Sequence, residues 1–179
     1  MKKYGVKEIF CIEYEEFDDY EIGESILNVW INGLEICSYE QNGKIKYYHW
    51  NLRNIVEWLK NNMQNILFET EFPLPINATS SIEFFQKSGE FDSENEEELY
   101  EWDTKRQDWY FRHAWCTNSE GSYLADLYFR RVDNNIELQW NNESLYDGVN
   151  FINPIGLAYV DVDFFVNVIN DFIKEYRNL

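Results

Sequence analysis

Two β-rich runs in the first third of the chain are interrupted by Asn-Gly pairs, at Asn32-Gly33 and Asn42-Gly43, within ILNVWINGLEICSYEQNGKIKYYHW. Asn-Gly accepts positive φ at both central positions of a type I′ hairpin turn. The two turns predict a three-strand antiparallel meander over residues 26–48. Upstream, VKEIFCIEYEEF alternates Ile9 and Cys11 with Phe10, Ile12 and Tyr14, and predicts one further strand. The period then changes. In NLRNIVEWLKNNMQNILFE, residues Leu52, Ile55, Val56, Leu59, Met63, Ile66 and Leu67 fall on one helical face, with Asn51 placed to cap it.

Pro73 and Pro75 break regular structure next, and residues 72–95 form the candidate mobile insertion. An acidic helix follows. YLADLYFRRVDNNIELQW then predicts a hairpin turning at residues 133–135, and GLAYV a further strand. The last helix repeats Val162, Phe165, Val166, Ile169, Phe172, Ile173 and Tyr176 at helical spacing behind Asp161 as cap. Adjacent strands, rather than strict βαβ alternation, indicate an α+β fold: a mostly antiparallel sheet, N-terminal meander plus C-terminal hairpin, packed by about three helices. Neither an internal repeat nor a linker divides the chain, so residues 1–179 are expected to form one domain.

Composition narrows the function classes. The 179 residues carry 33 acidic and 15 basic side chains, a net charge of −18, and half of that excess lies in residues 51–103. Such a field repels nucleic acid and anionic membranes and attracts cationic surfaces. Cys11, Cys37 and Cys116 are odd in number and far apart, which favours free thiols in a reducing cytoplasm. No run of 18 apolar residues is present, and MKKYGVKEIFCIEYEEF lacks the apolar core of a signal peptide.

Candidate chemistry is sparse. His113 and Cys116 in HAWC could share a helical face as a thiol–imidazole pair, but the sequence shows neither an orienting group nor an oxyanion hole, and an aromatic core edge is the favoured reading. With His49 the only other histidine, no CxxC or HxxxH spacing predicts a metal site, and no phosphate loop or dinucleotide fingerprint predicts a cofactor. Asp126 followed by Glu137-Leu138-Gln139 is similar to the carboxylate pattern of metal-dependent nucleases, with glutamine where lysine is usual. Solvent-facing alternation on a hairpin explains it as well. Trp30 is read as structural in a tight hairpin, and Trp50, Trp58, Trp102, Trp109, Trp115 and Trp140 divide between core positions, which take most of them, and interface anchors.

The densest signal is EFDSENEEELYEWD, in which eight of fourteen residues are carboxylates. Ser93-x-x-Glu96 fits a capping box, and acids in a first turn complement the helix dipole. Leu99, Trp102, Trp109, Tyr110 and His113 project as one stripe, with Glu94, Glu97, Glu98, Glu101 and Asp108 opposite. Glu101–Lys105 and Asp108–Arg112 have the spacing of helix ion pairs. A solvated face accounts for much of this. The number of mutually repelling charges points further, to a surface for a basic protein partner built from Glu94, Glu97, Glu98, Glu101 and Asp103, with Trp102 as anchor at its edge.

YGVKEIFCIEYEEF followed by LNVWINGLEIC resembles bacterial immunity proteins of polymorphic or contact-delivered toxin systems. That resemblance implies a small cytoplasmic α+β protein that inhibits one toxin by binding it, without catalysis and without a cofactor. Toxins that act on nucleic acid commonly carry basic clefts, in keeping with the acidity here. Two alternatives stand beside this reading: a phage or mobile-element inhibitor whose carboxylates imitate a nucleic acid, and an enzyme using Asp126 and Glu137.

Overall fold

The computed structural model describes residues 1–16, 24–115, 118–119 and 122–176. The chain opens with seven strands: β1 (Lys2–Val6), β2 (Phe10–Glu16), β3 (Glu24–Ile31), β4 (Leu34–Glu35), β5 (Tyr39–Gln41), β6 (Lys44–Lys46) and β7 (Tyr48–Asn51). Helices α1 (Arg53–Phe68), α2 (Ser81–Ser88) and α3 (Glu96–His113) follow. Strands β8 (Ala114–Trp115), β9 (Asn118–Ser119), β10 (Ser122–Tyr123), β11 (Leu127–Val132), β12 (Asn135–Asn141), β13 (Asn150–Phe151) and β14 (Ile155–Asp161) lead into α4 (Val162–Tyr176). The fold is α+β, with four helices among the described residues, whose strand pairs are all antiparallel. No helix among the described residues is long and apolar enough to cross a membrane.

Both Asn-Gly turns form with positive φ at Asn32, Gly33, Asn42 and Gly43. They do not, however, join three strands of one sheet. The first sheet runs β1-β2-β3-β4, with β7 pairing β3 beyond β4, whereas the second turn links β5 to β6 in a separate sheet with β13. The reason lies at Glu35. Its carboxylate accepts hydrogen bonds from the backbone N–H of Cys37 at 2.7 Å and of Ser38 at 2.8 Å. These amides turn toward the carboxylate, so β4 ends after two residues and the chain leaves the sheet before returning as β7. The strand expected in VKEIFCIEYEEF is likewise broken. Residues 7–9 turn back onto β1, held by Ile9 N–H on Val6 O at 3.0 Å, and Gly5 adopts φ +92° beside Phe10 O, where a Cβ would clash.

The main core lies between the inner faces of this sheet and of the β14-β12-β11-β8 sheet, filled by α1 and α4. Phe10, Ile12, Tyr14, Leu27, Val29 and Ile31 point inward from β2 and β3, and Phe129, Ile136, Leu138 and Trp140 from β11 and β12. From the helices come Ile55, Val56, Leu59, Ile66, Phe165, Ile169 and Phe172, as the helical spacing predicts. Leu52, not Asn51, precedes α1, because Asn51 is held in the ladder opposite Glu24. Asp161 caps α4, its Oδ1 accepting from Phe164 N–H at 3.0 Å. The Trp50 and Tyr176 side chains lie outside the described residues.

Residues 72–95, expected as a candidate insertion, are packed into the fold. They carry α2, which lies on the outer face of β11 and β12. Trp109, Ala114 and Tyr128 form a second, smaller core there with Phe72, Ile82, Phe85 and Tyr110. The cap that starts α2 comes from the sheet: Glu137 accepts from Ser81 N–H at 2.8 Å and Gln139 from Ile82 N–H at 2.9 Å.

Candidate functional site

The acidic stretch leads into α3, which begins two residues later than the capping-box pattern suggests. Asn95 is the cap, its Oδ1 accepting from the N–H of Glu97 at 3.1 Å and of Glu98 at 3.4 Å. Ser93 instead donates its hydroxyl to Glu98 at 2.7 Å and accepts from Asn95 N–H at 3.1 Å. Only Trp109 and His113 of the helix are fully buried, so its acidic first half extends over the surface.

Glu94, Glu97, Glu98, Glu101 and Asp103 are all exposed. Glu94, Glu97, Glu101 and Asp103 have no ion-pair partner among the described residues. The expected Glu101–Lys105 bridge is absent from these pairs. The Asp108–Arg112 bridge is replaced, since the Arg112 fork lies on Glu69 at 2.9 and 2.7 Å. A carboxylate on a neighbouring segment offers a bidentate fit that one helical turn does not.

Trp102 is occupied differently from the anchor expected of it. Its indole stacks on Phe91, ring centroids 3.9 Å apart, and its Nε1–H donates to Ser88 O at 2.8 Å. Arg106 works with it, donating to Phe85 O at 3.2 Å and lying over the Phe85 ring. Together they clamp the loop after α2 onto α3. The aromatic that does project from the acidic surface is Tyr100, 74% exposed. It lines a shallow groove of about 510 Å³ with Glu96, Leu99, Asp103, Thr104, Gln107 and Asp108. Tyr100 lies one position after Leu99 and outside the apolar stripe, so helical spacing alone puts it on the surface.

Asp126 and Glu137 are not brought together. Arg130 pairs with Glu137 in the β11–β12 ladder, so Asp126 lies four residues further along, about 13 Å of strand. Glu137 is fully buried and committed: Arg130 donates to it at 2.8 Å, the Ser81 hydroxyl at 2.5 Å and Tyr159 at 3.4 Å. Asp126 accepts from Tyr110 OH at 3.4 Å, and burial pushes its carboxyl up to about 6. The carboxylate pattern is therefore a helix cap with its ion pair and, separately, a half-shielded acid.

His113 is buried against Trp109, ring centroids 4.7 Å apart. Its Nδ1–H donates to Phe129 O at 2.8 Å, which leaves Nε2 3.3 Å from Glu69. Burial holds the imidazole below its ordinary range, against the opposing pull of Phe129 O and Glu69. Cys116 lies outside the described residues. Cys11 and Cys37 are buried free thiols, pushed up by burial.

A second concavity, unmarked by any motif, opens on the outer face of the first sheet. It encloses about 450 Å³ between Met1, Lys7, Glu13, Ile26, Asn28, Trp30, Glu35, Ser38 and Tyr47. Along the strands these polar residues read as ordinary solvent-facing alternation. Their grouping depends on the 36–47 excursion, which brings Ser38 and Tyr47 over the sheet.

The fold is α+β, and the exposed carboxylates in the first half of α3 have no ion-pair partner among the described residues. Comparison with protein-family models, curated proteins and solved structures gives no match.

Proposed function

We propose that this protein is a non-catalytic, cytoplasmic binding protein that neutralises a basic protein partner, most simply as the immunity protein of a toxin system. The single observation that supports this is the first half of α3: five exposed carboxylates, Glu96, Glu97, Glu98, Glu101 and Asp103, with no ion-pair partner among the described residues, around the exposed ring of Tyr100. Self-repulsion among them opposes folding, whereas a cationic partner surface removes it and gains from it. Tyr100 adds an amphipathic anchor of the type enriched in interface hot spots. Trp102 supports the surface from beneath.

Charge density favours a particular kind of target. Glu96, Glu97, Glu98, Glu101 and Asp103 fall within eight helical residues, about 12 Å of axis, and fan around the exposed side of the helix as a dense anionic surface. Duplex DNA is also densely anionic, with a charge about every 3.4 Å of each strand. A cleft that binds nucleic acid is therefore a fitting partner surface, whether it belongs to a toxin or to a defence enzyme inhibited by mimicry.

The test is kinetic. Affinity capture from the source cell identifies the partner, and association is then measured for wild type and for a variant with Glu94, Glu97, Glu98 and Glu101 all replaced by glutamine. The variant is expected to fold normally and to associate about ten-fold more slowly at low salt, the difference closing as salt rises. Competition by duplex DNA separates a nucleic-acid cleft from another basic surface. Equal association rates at every salt concentration would refute the proposal.

A further inference from the structure

The pocket on the outer face of the first sheet sets two carboxylates, Glu13 and Glu35, against one lysine, Lys7. Glu13 lies directly opposite Asn28, and Trp30 opposite Glu35, on β2, β3 and β4. Asn28 and Trp30 are two residues apart on one strand, so all four side chains stand on one face as adjacent rungs. Met1, Ile26 and Tyr47 add apolar wall, and the enclosed 450 Å³ is in the range of small-ligand sites.

Half of the pocket is already satisfied. Glu13 accepts from the Trp30 indole at 2.9 Å and pairs with Lys7 at 2.8 Å. The Lys7 ammonium lies 3.9 Å from the centre of the Trp30 ring, a cation–π position. The chain's own cation thus shows what this wall attracts. The other half is unsatisfied. Asn28 is only 7% exposed; among the described residues its Oδ1 has no donor, and its Nδ2 donates only to Met1 Sδ, at 3.7 Å. Both Glu35 oxygens already accept, from the backbone N–H groups of Cys37 and Ser38 and from the Ser38 side chain, and what the carboxylate lacks among the described residues is a paired cation. A buried acceptor without a donor, beside a carboxylate without a counter-charge, calls for a group that supplies both.

We propose that this pocket binds an organic cation bearing N–H donors, a guanidinium or alkylammonium group, which donates to Asn28 Oδ1 and neutralises Glu35 while its alkyl stem lies against Ile26 and Trp30. With Glu13 already paired to Lys7, the carboxylate of Glu35, which has no ion-pair partner among the described residues, disfavours anions. A hydroxyl would serve Asn28 and leave Glu35 unpaired. Among the described residues no three His, Cys, Asp or Glu side chains are grouped to hold a metal ion. The site stands apart from the acidic helix and does not rest on the function proposed for it. The cation arrives either as a free small molecule or as an arginine or lysine side chain of another polypeptide.

Heteronuclear NMR titrations of the full chain test this, with n-butylguanidinium, its neutral counterpart n-pentanol, and the peptide acetyl-Gly-Arg-Gly-amide. Butylguanidinium should shift the Trp30 indole N–H and the Asn28 side-chain amide saturably, with about millimolar affinity, and pentanol should bind at least ten-fold more weakly. Asn28→Leu and Glu35→Gln should each weaken butylguanidinium binding at least five-fold. If either variant fails to fold, the comparison of cation with alcohol on the wild type decides alone. Tighter binding of the peptide identifies a polypeptide side chain as the guest, and tighter binding of butylguanidinium a free cation. The absence of saturable shifts at Trp30 and Asn28 up to about 20 mM, or equal binding of pentanol, overturns the proposal.

Discussion

Replacing Glu137 by glutamine separates a structural carboxylate from a catalytic one. In the structure this side chain is fully buried, paired with Arg130 at 2.8 Å and bonded to the N–H and hydroxyl of Ser81 at the start of α2. Glutamine keeps an oxygen for Ser81 but removes the charge facing Arg130, which is itself 9% exposed and whose buried Nε has no partner among the described residues. Removing one partner of a buried ion pair costs about 3–5 kcal/mol, because the other charge is left uncompensated. The retained acceptor places Glu137→Gln near about 3 kcal/mol, and Glu137→Ala about 1–2 kcal/mol beyond it. For a chain of this size, 3 kcal/mol lowers the Tm by about 6–12 °C. Urea denaturation followed by tryptophan fluorescence at pH 7 gives the same quantity from the midpoint shift at constant slope. Adding Arg130→Met to Glu137→Gln should restore part of the loss, since replacing both members of a buried pair is often close to neutral. A metal-ligand role makes the opposite prediction, that removing the carboxylate leaves the metal-free protein equally stable or more so. A loss under about 0.5 kcal/mol in Glu137→Gln, the range of ordinary surface changes, would refute the reasoning.

Asp126 supplies a pH dependence of stability. Burial raises its folded pKa from 3.8 to about 6, so the folded state holds the proton more tightly and stability falls as pH rises through that interval. The loss is at most about 3 kcal/mol; Asp126→Asn should match wild type near pH 4 and exceed it at pH 7.5 in thermal melts. Asn95→Ala should cost about 1 kcal/mol in urea denaturation by uncapping α3, and Ser93→Ala less. Gly156→Ala should destabilise severely, because a Cβ there overlaps the Trp140 indole that crosses the strand to donate to Asn153 O at 2.9 Å. Its far-UV circular dichroism or melting temperature remaining at the wild-type value would show that the indole can move aside.

Much of the fold was legible because it depends on neighbours in sequence. The positive-φ turns at Asn32-Gly33 and Asn42-Gly43, the apolar faces of α1 and α4, the Asp161 cap and the β11–β12 hairpin each follow from local conformational preference and periodicity. Charge is equally local, and the exposure of Glu94, Glu97, Glu98, Glu101 and Asp103 follows from their density on a helix face. The tertiary structure decided everything that required a distant partner. Glu35 takes the amides that would have extended β4, so two turns serve two sheets. Glu137 caps α2 from a strand 56 residues away, which makes a helix of a segment that reads as an insertion. Glu69, 43 residues from Arg112, draws it away from Asp108, and Ser88 and Phe91 occupy Trp102. Polar side chains choose partners by geometry in three dimensions. Sequence spacing sets only which partners are near at the start.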